Sequence, residues 1–222
     1  MSLSPYYNEN KDIIEIGVDE VGRGPMFGRV YCAAVILPKD VSFKHELMKD
    51  SKKFHSKKKL EEAAEYIKAN CINYAIAYED ETYIDKFNIK NATQSAMHKA
   101  IKKLVQYDNT NMILVDGREF KPLTYMDNKE ETIKEINCVC IEGGDNKYSS
   151  IAAASIIAKV ERDNYIYDLC EKHSKLDEYY QLSTNKGYGT AKHLDGIRQF
   201  GISCWHRKSF GLCKESKLIT ID

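Results

Sequence analysis

Residues 13–28, IIEIGVDEVGRGPMFG, constrain the fold more than any other stretch of the chain. Ile13, Ile14, Ile16 and Val18 leave too little polar surface for a solvated edge, so the run predicts a buried central strand. Asp19 and Glu20 follow at once. Adjacent strand residues point to opposite faces, so two such carboxylates can serve one ion only where the strand ends or at its rim. Gly22 and Gly24 supply a break of that kind, because glycine tolerates positive φ and lets another chain approach the backbone closely. Arg23 places a fixed positive charge between them. Alone, an Asp-Glu pair is most simply a solvated turn, and the rest of the chain decides its meaning.

A second apolar strand is expected over 30–37, ended by Pro38, and a third over 71–78, CINYAIAY. Between them Ser56 is placed to cap a helix whose apolar stripe is Leu60, Ala63, Ala64 and Ile67. Its first turn carries three lysines, Lys57 to Lys59, which the helix dipole disfavours. Helical spacing returns from Thr93 to Val105, and residues 112–116, MILVD, form a short apolar strand that delivers Asp116 to a rim just before Gly117. Residues 118–134 read as a loop with a partial helix. A strand over 136–141 leads into EGGDNKYSS, a long helix follows from Ser149 to about Lys172, and a shorter one spans about 190–200 with Gly201 as its cap. The order predicts an α/β fold, a mixed central β-sheet flanked by helices, with ligands expected at the C-terminal edge of the strands.

The 222 residues suffice for one well-buried core and are short for two, so residues 1–222 are expected to form a single domain. Within it, about 1–12 reads as a tail free to fray and about 174–222 as a helical C-terminal extension. No apolar run approaches the roughly 18 residues of a membrane span. The opening MSLSPYYNENKD lacks the basic and apolar segments of a secretory signal. Seven cysteines without CxxC spacing fit a reducing, cytoplasmic setting better than a disulfide framework or zinc. Lys plus Arg equal Asp plus Glu at 33 each, so attraction to a polyanion must come from local clusters.

Asp145, in GGDNKYSS, joins Asp19, Glu20 and Asp116 as a fourth positioned acid, with a helix cap or Asx turn as its local alternative. Clustered carboxylates raise one another's pKa unless a cation neutralises them, and all-oxygen ligation selects Mg2+ or Mn2+. Two such ions hydrolyse a phosphodiester without a nucleophilic side chain. That fits the absence of G-x-S-x-G, H-E-x-x-H and G-x-x-x-x-G-K-[ST] patterns.

DEVGRG, DSKK at 50–53, LVDG at 114–117, GGDNKYSSIAAASIIAKVERD at 143–163, GYGTAKHLDGIRQFG at 187–201 and HRKSF at 206–210 together resemble the successive blocks of the ribonuclease HII family. The resemblance implies a ribonuclease H-like fold in a monomer. It also implies metal-dependent endonucleolytic cleavage of RNA in RNA/DNA hybrids and of ribonucleotides embedded in duplex DNA, leaving 3′-hydroxyl and 5′-phosphate ends. Asp19, Glu20, Asp116 and Asp145 match the family's metal-binding acids, Gly22, Arg23 and Gly24 its 2′-hydroxyl-contacting loop, and Tyr188 the tyrosine that packs on the neighbouring deoxyribose. A 2′-hydroxyl both donates and accepts, so a loop offering backbone groups can distinguish it. Lys52, Lys53, Arg207 and Lys208 are candidate phosphate contacts. After Gly24 the chain has PMFGRV, where the family more often has a smaller apolar residue and a second proline, so Phe27 and Arg29 bear on the fit around the sugar.

Overall fold

The computed structural model describes residues 3–54, 56–105, 111–127 and 130–221, and Lys52 without its side chain. Its strands are β1 (Ile14–Val21), β2 (Val30–Ile36), β3 (Asn73–Glu79), β4 (Asn111–Asp116), β5 (Thr124–Asp127), β6 (Thr132–Glu135) and β7 (Asn137–Ile141). Five of them form a mixed sheet in the order β3-β2-β1-β4-β7, and β5 pairs with β6 apart from it. The β1-β2 and β2-β3 pairs are antiparallel, whereas β4 runs parallel to both β1 and β7. The helices are α1 (Lys57–Asn70), α2 (Glu81–Ile101), α3 (Ser149–Lys172), α4 (Ser174–Tyr180), α5 (Leu182–Asn185) and α6 (Ala191–Phe200).

Alternation along the central strands explains the layering. Ile16 and Val18 enter a core with Met97, Ala100 and Ile101 of α2, while on the opposite face Ala33 and Val35 of β2 pack with α1 and with Ala152 to Ala154, Ile156 and Ile157 of α3. The small residues of α3 let it lie close to the sheet: a Cβ on Gly17 would stand 2.3 Å from the Ser150 carbonyl carbon. Apolar burial on both faces of the sheet, at about 25 cal/mol per Å², holds β1 at its centre between β2 and β4. A third cluster joins Met26 and Phe27 to Ile166, Leu176, Tyr180, Leu182 and Ile197, seating α4–α6 beside the turn after β1.

Ser56 caps α1 as expected, accepting from the Lys59 amide at 3.2 Å. Three expectations need correction. First, α2 starts well before Thr93: the Asp80 side chain accepts from the Tyr83 amide at 2.8 Å, and the helical backbone is interrupted only by a kink at Asn88, whose φ is 64°. Mixed polar spacing over 81–92 hid that segment. Second, the described part of 118–134 holds no helix; it carries the β5-β6 hairpin, in which Met126 pairs with Ile133. Third, the N-terminal stretch is pinned. Glu15 accepts from the amides of Tyr7 and Asn8 at 2.9 and 2.7 Å, and the Ser4 carbonyl accepts from the Ser149 amide at 2.9 Å, satisfying an otherwise open donor in the first turn of α3.

Candidate active site

The parallel trio β1-β4-β7 brings the acids to one edge. Val18 pairs with Val115 and Asp116 with Ile141, so β1 and β4 run side by side to Asp19 and Asp116. After β7 the chain turns through a short 3₁₀ segment, Gly144–Asn146, which carries Asp145. The Gly144 amide donates to Asp116 Oδ1 at 2.6 Å, tying the ends of β4 and β7 together. Asp145 is buried and accepts from Asn146 Nδ2 at 3.0 Å; it is not the cap of α3, whose N-cap residue is Tyr148.

β1 continues through Val21 rather than ending at Asp19, so Asp19 and Glu20 do take opposite faces. Asp19 is buried and turned toward α3, where Ser155 hydrogen-bonds to it and in turn meets Ser51 Oγ at 3.0 Å. Glu20 looks toward α2, in a cavity of about 400 Å³ lined with Arg23, Lys90, Gln94, Asp116 and Arg118. Burial above all, then the charges of Glu20 and Asp116, holds the Asp19 carboxyl well above the ordinary carboxylate range. Glu20 is also raised, by burial and by Asp116, against the pull of Arg23, whose Nη1 lies 3.3 Å from its Oε1. Among the described residues no three His, Cys, Asp or Glu side chains close into a finished ion cage. The donor set nonetheless fits a hard divalent cation. It is all oxygen, partly buried, and mutually repulsive in the ionised form.

The loop after β1 is shaped by two buried arginines. Gly22 has φ +93°, and a Cβ there would stand 2.3 Å from Arg162 Nε. Arg207, expected as a phosphate contact, is fully buried instead. Its guanidinium donates to the carbonyls of Gly22 (2.6 Å), Arg23 (3.1 Å), Pro25 (2.7 Å) and Gly28 (2.8 Å). Arg162 donates to Phe27, Arg29 and Lys186 at 3.0, 3.1 and 3.0 Å. Carbonyls drawn inward in this way leave Arg23 and Gly24 exposed. Burial and the Arg162 charge push the Arg207 guanidinium down to about 9. Tyr188 is 46% exposed, and its ring lies 3.4 Å from where a Cβ on Gly24 would be.

Of the other candidates, Lys53 is exposed beside the acidic edge and donates to Asn146 Oδ1, which Asn146 complements by reaching Asp50 at 3.3 Å. The Lys52 side chain lies outside the described residues. Lys208 is exposed, its amide held by Asp85 at 2.8 Å. Phe27 is fully buried, and the Arg29 guanidinium lies 4.0 Å above the Tyr78 ring and 4.5 Å above Tyr165, so neither projects at the loop tip. Ser155, Arg162, His193 and His206 lie within the blocks that carry the resemblance but have no role assigned from sequence, since nothing in their spacing marks them as neighbours of the site.

The ribonuclease HII family model matches residues 16–213. The chain belongs to the ribonuclease HII family. It is 41% identical over 210 residues to ribonuclease HII of Cytophaga hutchinsonii, covering 95% of this chain and 94% of that one. Against ribonuclease HII of Pelagibacter ubique it is 44% identical over 194 residues, covering 87% and 94%. Among solved structures, ribonuclease H2 from Pyrococcus horikoshii superposes with a TM-score of 0.70 at 22% identity, covering 91% of this chain and 96% of that one, which shows the shared ribonuclease H fold. A ribonuclease HIII structure in complex with Mn2+ superposes with a TM-score of 0.57 at 16% identity, covering 86% of this chain and 71% of that one. Family membership makes the chain a ribonuclease H endonuclease.

Proposed function

We propose that this ribonuclease H hydrolyses the RNA strand of RNA/DNA hybrids and nicks on the 5′ side of single ribonucleotides embedded in duplex DNA, leaving 3′-hydroxyl and 5′-phosphate ends. Asp19, Glu20, Asp116 and Asp145 hold two Mg2+ or Mn2+ ions. The observation that carries the reading is the adjacency of β1 and β4 at their acidic ends, with Asp19 buried and its charged form further opposed by the charges of Glu20 and Asp116, a combination that a bound cation relieves. Bound there, the ions supply an activated water and stabilise the leaving oxygen.

The chain's own residues do the rest. The Gly144 amide holds Asp116 Oδ1 and Ser155 holds Asp19, which fixes the carboxylates in the orientation they present at the edge. Gly22, Arg23 and Gly24 receive the ribose 2′-hydroxyl, the carbonyls of Gly22 and Arg23 being engaged from beneath by Arg207. Tyr188, exposed alongside Gly24, packs on the deoxyribose that follows, where a second hydroxyl would clash. Lys53 and Lys208 contact phosphates of the duplex, and the segment from about 174 to 222, which carries Tyr188 and Lys208, is part of the substrate surface of one domain. The enzyme acts as a monomer in a reducing cytoplasm, a setting supported by its seven cysteines, all free thiols. Among the described residues no helix is long and apolar enough to cross a membrane. A duplex DNA with one ribonucleotide, incubated with Mg2+, tests the proposal: a nick 5′ of that ribonucleotide is expected, and a duplex that stays intact overturns it.

A further inference from the structure

His193 and His206 are both buried, at 0% and 1% exposure, and their Nε2 atoms face each other at 3.1 Å. A contact of that kind requires one shared proton. Two bare nitrogens repel and two N–H groups collide. The partners at either end decide where the proton sits. His193 Nδ1 lies 2.9 Å from the Tyr188 carbonyl, which only accepts, so Nδ1 carries a hydrogen and Nε2 is bare. His206 therefore donates from Nε2, and its Nδ1 accepts from the Ser203 amide at 3.0 Å and the Ser203 hydroxyl at 2.9 Å. The result is a one-way chain from Ser203 through His206 and His193 to the backbone of Tyr188. Burial, together with the His193 ring, pushes His206 down to about 3, in keeping with two neutral imidazoles.

The same short segment also grips the glycine loop. Arg207, next in sequence to His206, donates to the carbonyls of Gly22 and Arg23, and its amide donates to the Met26 carbonyl at 2.8 Å. Phe27 bridges to His206 in antiparallel fashion, and the Met26 amide donates to the Gly187 carbonyl at 2.8 Å. One dipeptide is thus tied on one side to the loop that meets the 2′-hydroxyl and on the other to the residue whose ring stands beside Gly24. Two apolar side chains would fill the same volume without the cost of desolvating imidazoles, and would leave the Tyr188 carbonyl with only its bond from the Thr190 amide at 2.8 Å.

We propose that His193 and His206 are positioning residues that fix the spacing between the Tyr188 ring and the Gly22–Gly24 loop, and that this spacing sets the preference for an RNA-to-DNA junction over a continuous hybrid. The proposal rests on the reading of Tyr188 and Gly22–Gly24 as the sugar-contacting elements. Neither histidine touches substrate; they act through Tyr188.

The test is the ratio of kcat/KM on a duplex with one ribonucleotide to kcat/KM on a continuous RNA/DNA hybrid, with Mg2+ and with folding monitored by circular dichroism. His193→Leu is expected to lower the ratio about tenfold. His193→Asn, whose amide nitrogen takes the place of Nδ1, restores most of it. His193→Gln, whose amide takes the place of Nε2 and abandons the Tyr188 carbonyl, lowers the ratio as Leu does, and serves where Leu is too unstable to assay. In a Tyr188→Ala background His193→Leu moves the ratio no further. If Tyr188→Ala lowers the ratio while folded His193→Leu or His193→Gln leaves it unchanged, the positioning role is overturned alone. A proportional loss on both substrates, or Asn behaving like Leu, overturns it as well by showing a purely structural role. If Tyr188→Ala itself leaves the ratio unchanged, the reading of Tyr188 falls and takes this proposal with it.

Discussion

The carboxylate edge and the glycine loop lie a few residues apart in sequence, yet they are built on opposite principles. At the edge, Asp19 and Glu20 have their charged forms opposed by burial and by Asp116, so the protein alone leaves the site under electrostatic tension. At the loop, the carbonyls of Gly22, Arg23, Pro25 and Gly28 are each satisfied by Arg207, and the neighbouring His193–His206 chain is fully paired. One region awaits a ligand to become comfortable. The other is finished before any ligand arrives, which suits the recognition role proposed for it.

The contrast breaks most sharply under mutation. Asp19→Asn removes a buried charge from the tense region, so turnover on a hybrid substrate is expected to fall at least about a thousandfold, while the melting temperature holds or rises by about 2–4 °C. A variant that loses activity together with its fold would erase the distinction between the two regions. Arg207→Met does the reverse. It strips donors from four carbonyls, those of Gly22, Pro25 and Gly28 in buried hydrogen bonds, and is expected to cost about 3–5 kcal/mol in urea unfolding, and a loss under about 1 kcal/mol would show that the loop holds itself.

Titration separates the regions by sign. His206 binds a proton at 6.5 when unfolded and at about 3 when folded, so the unfolded state holds more protons in that window and stability falls as pH drops through it, by about 1.4 kcal/mol per unit. His193, lowered by burial, adds in the same direction. Asp19 and Glu20 are raised above their ordinary 3.8 and 4.5, so there the folded state holds more protons and stability falls as pH rises toward the folded values. Saturating Mg2+ at about pH 8, where the carboxylates ionise most readily, is therefore expected to raise the wild-type melting temperature, by an amount corresponding to about 2.7 kcal/mol at a hundredfold excess over Kd. The same addition should leave Asp19→Asn nearly unmoved; an equal shift in both proteins would place the ion elsewhere.

How much of this was legible in the sequence follows the same divide. Strand-end acids next to glycine announce themselves, because burial of Ile16, Val18 and Ile113 to Val115 is written in their apolar side chains, and Asp19 and Asp116 interrupt it. The parallel register that sets β1 beside β4 was not legible, nor was the continuation of β1 through Val21, since Glu20 and Val21 fit a strand or a turn equally well. Arg207 departs from the expected phosphate contact for a physical reason. A basic residue in HRKSF is ordinarily solvated, and only the three-dimensional fold reveals a bed of carbonyls beneath the loop able to replace water around a guanidinium. Residues 118–134 were opaque because the pairing of β5 with β6 depends on partners across a turn rather than on periodicity within one segment.

The smallest effect expected is at the periphery. Lys53→Ala removes an exposed cation that hydrogen-bonds to Asn146, and KM for duplex substrate is expected to rise about two- to fivefold with kcat little changed. A drop in kcat of about a hundredfold would move Lys53 into the reacting site.

The most direct test of the proposed division between a metal-binding edge and a preformed loop that reads the sugar is cleavage-site mapping on a DNA duplex carrying one ribonucleotide, beside the same duplex with deoxyribose at that position. With Mg2+ or Mn2+ a single nick 5′ of the ribonucleotide with a 3′-hydroxyl end is expected, none in the all-deoxy duplex, and none in either with EDTA. Cleavage that survives EDTA, or that ignores the 2′-hydroxyl, would contradict it.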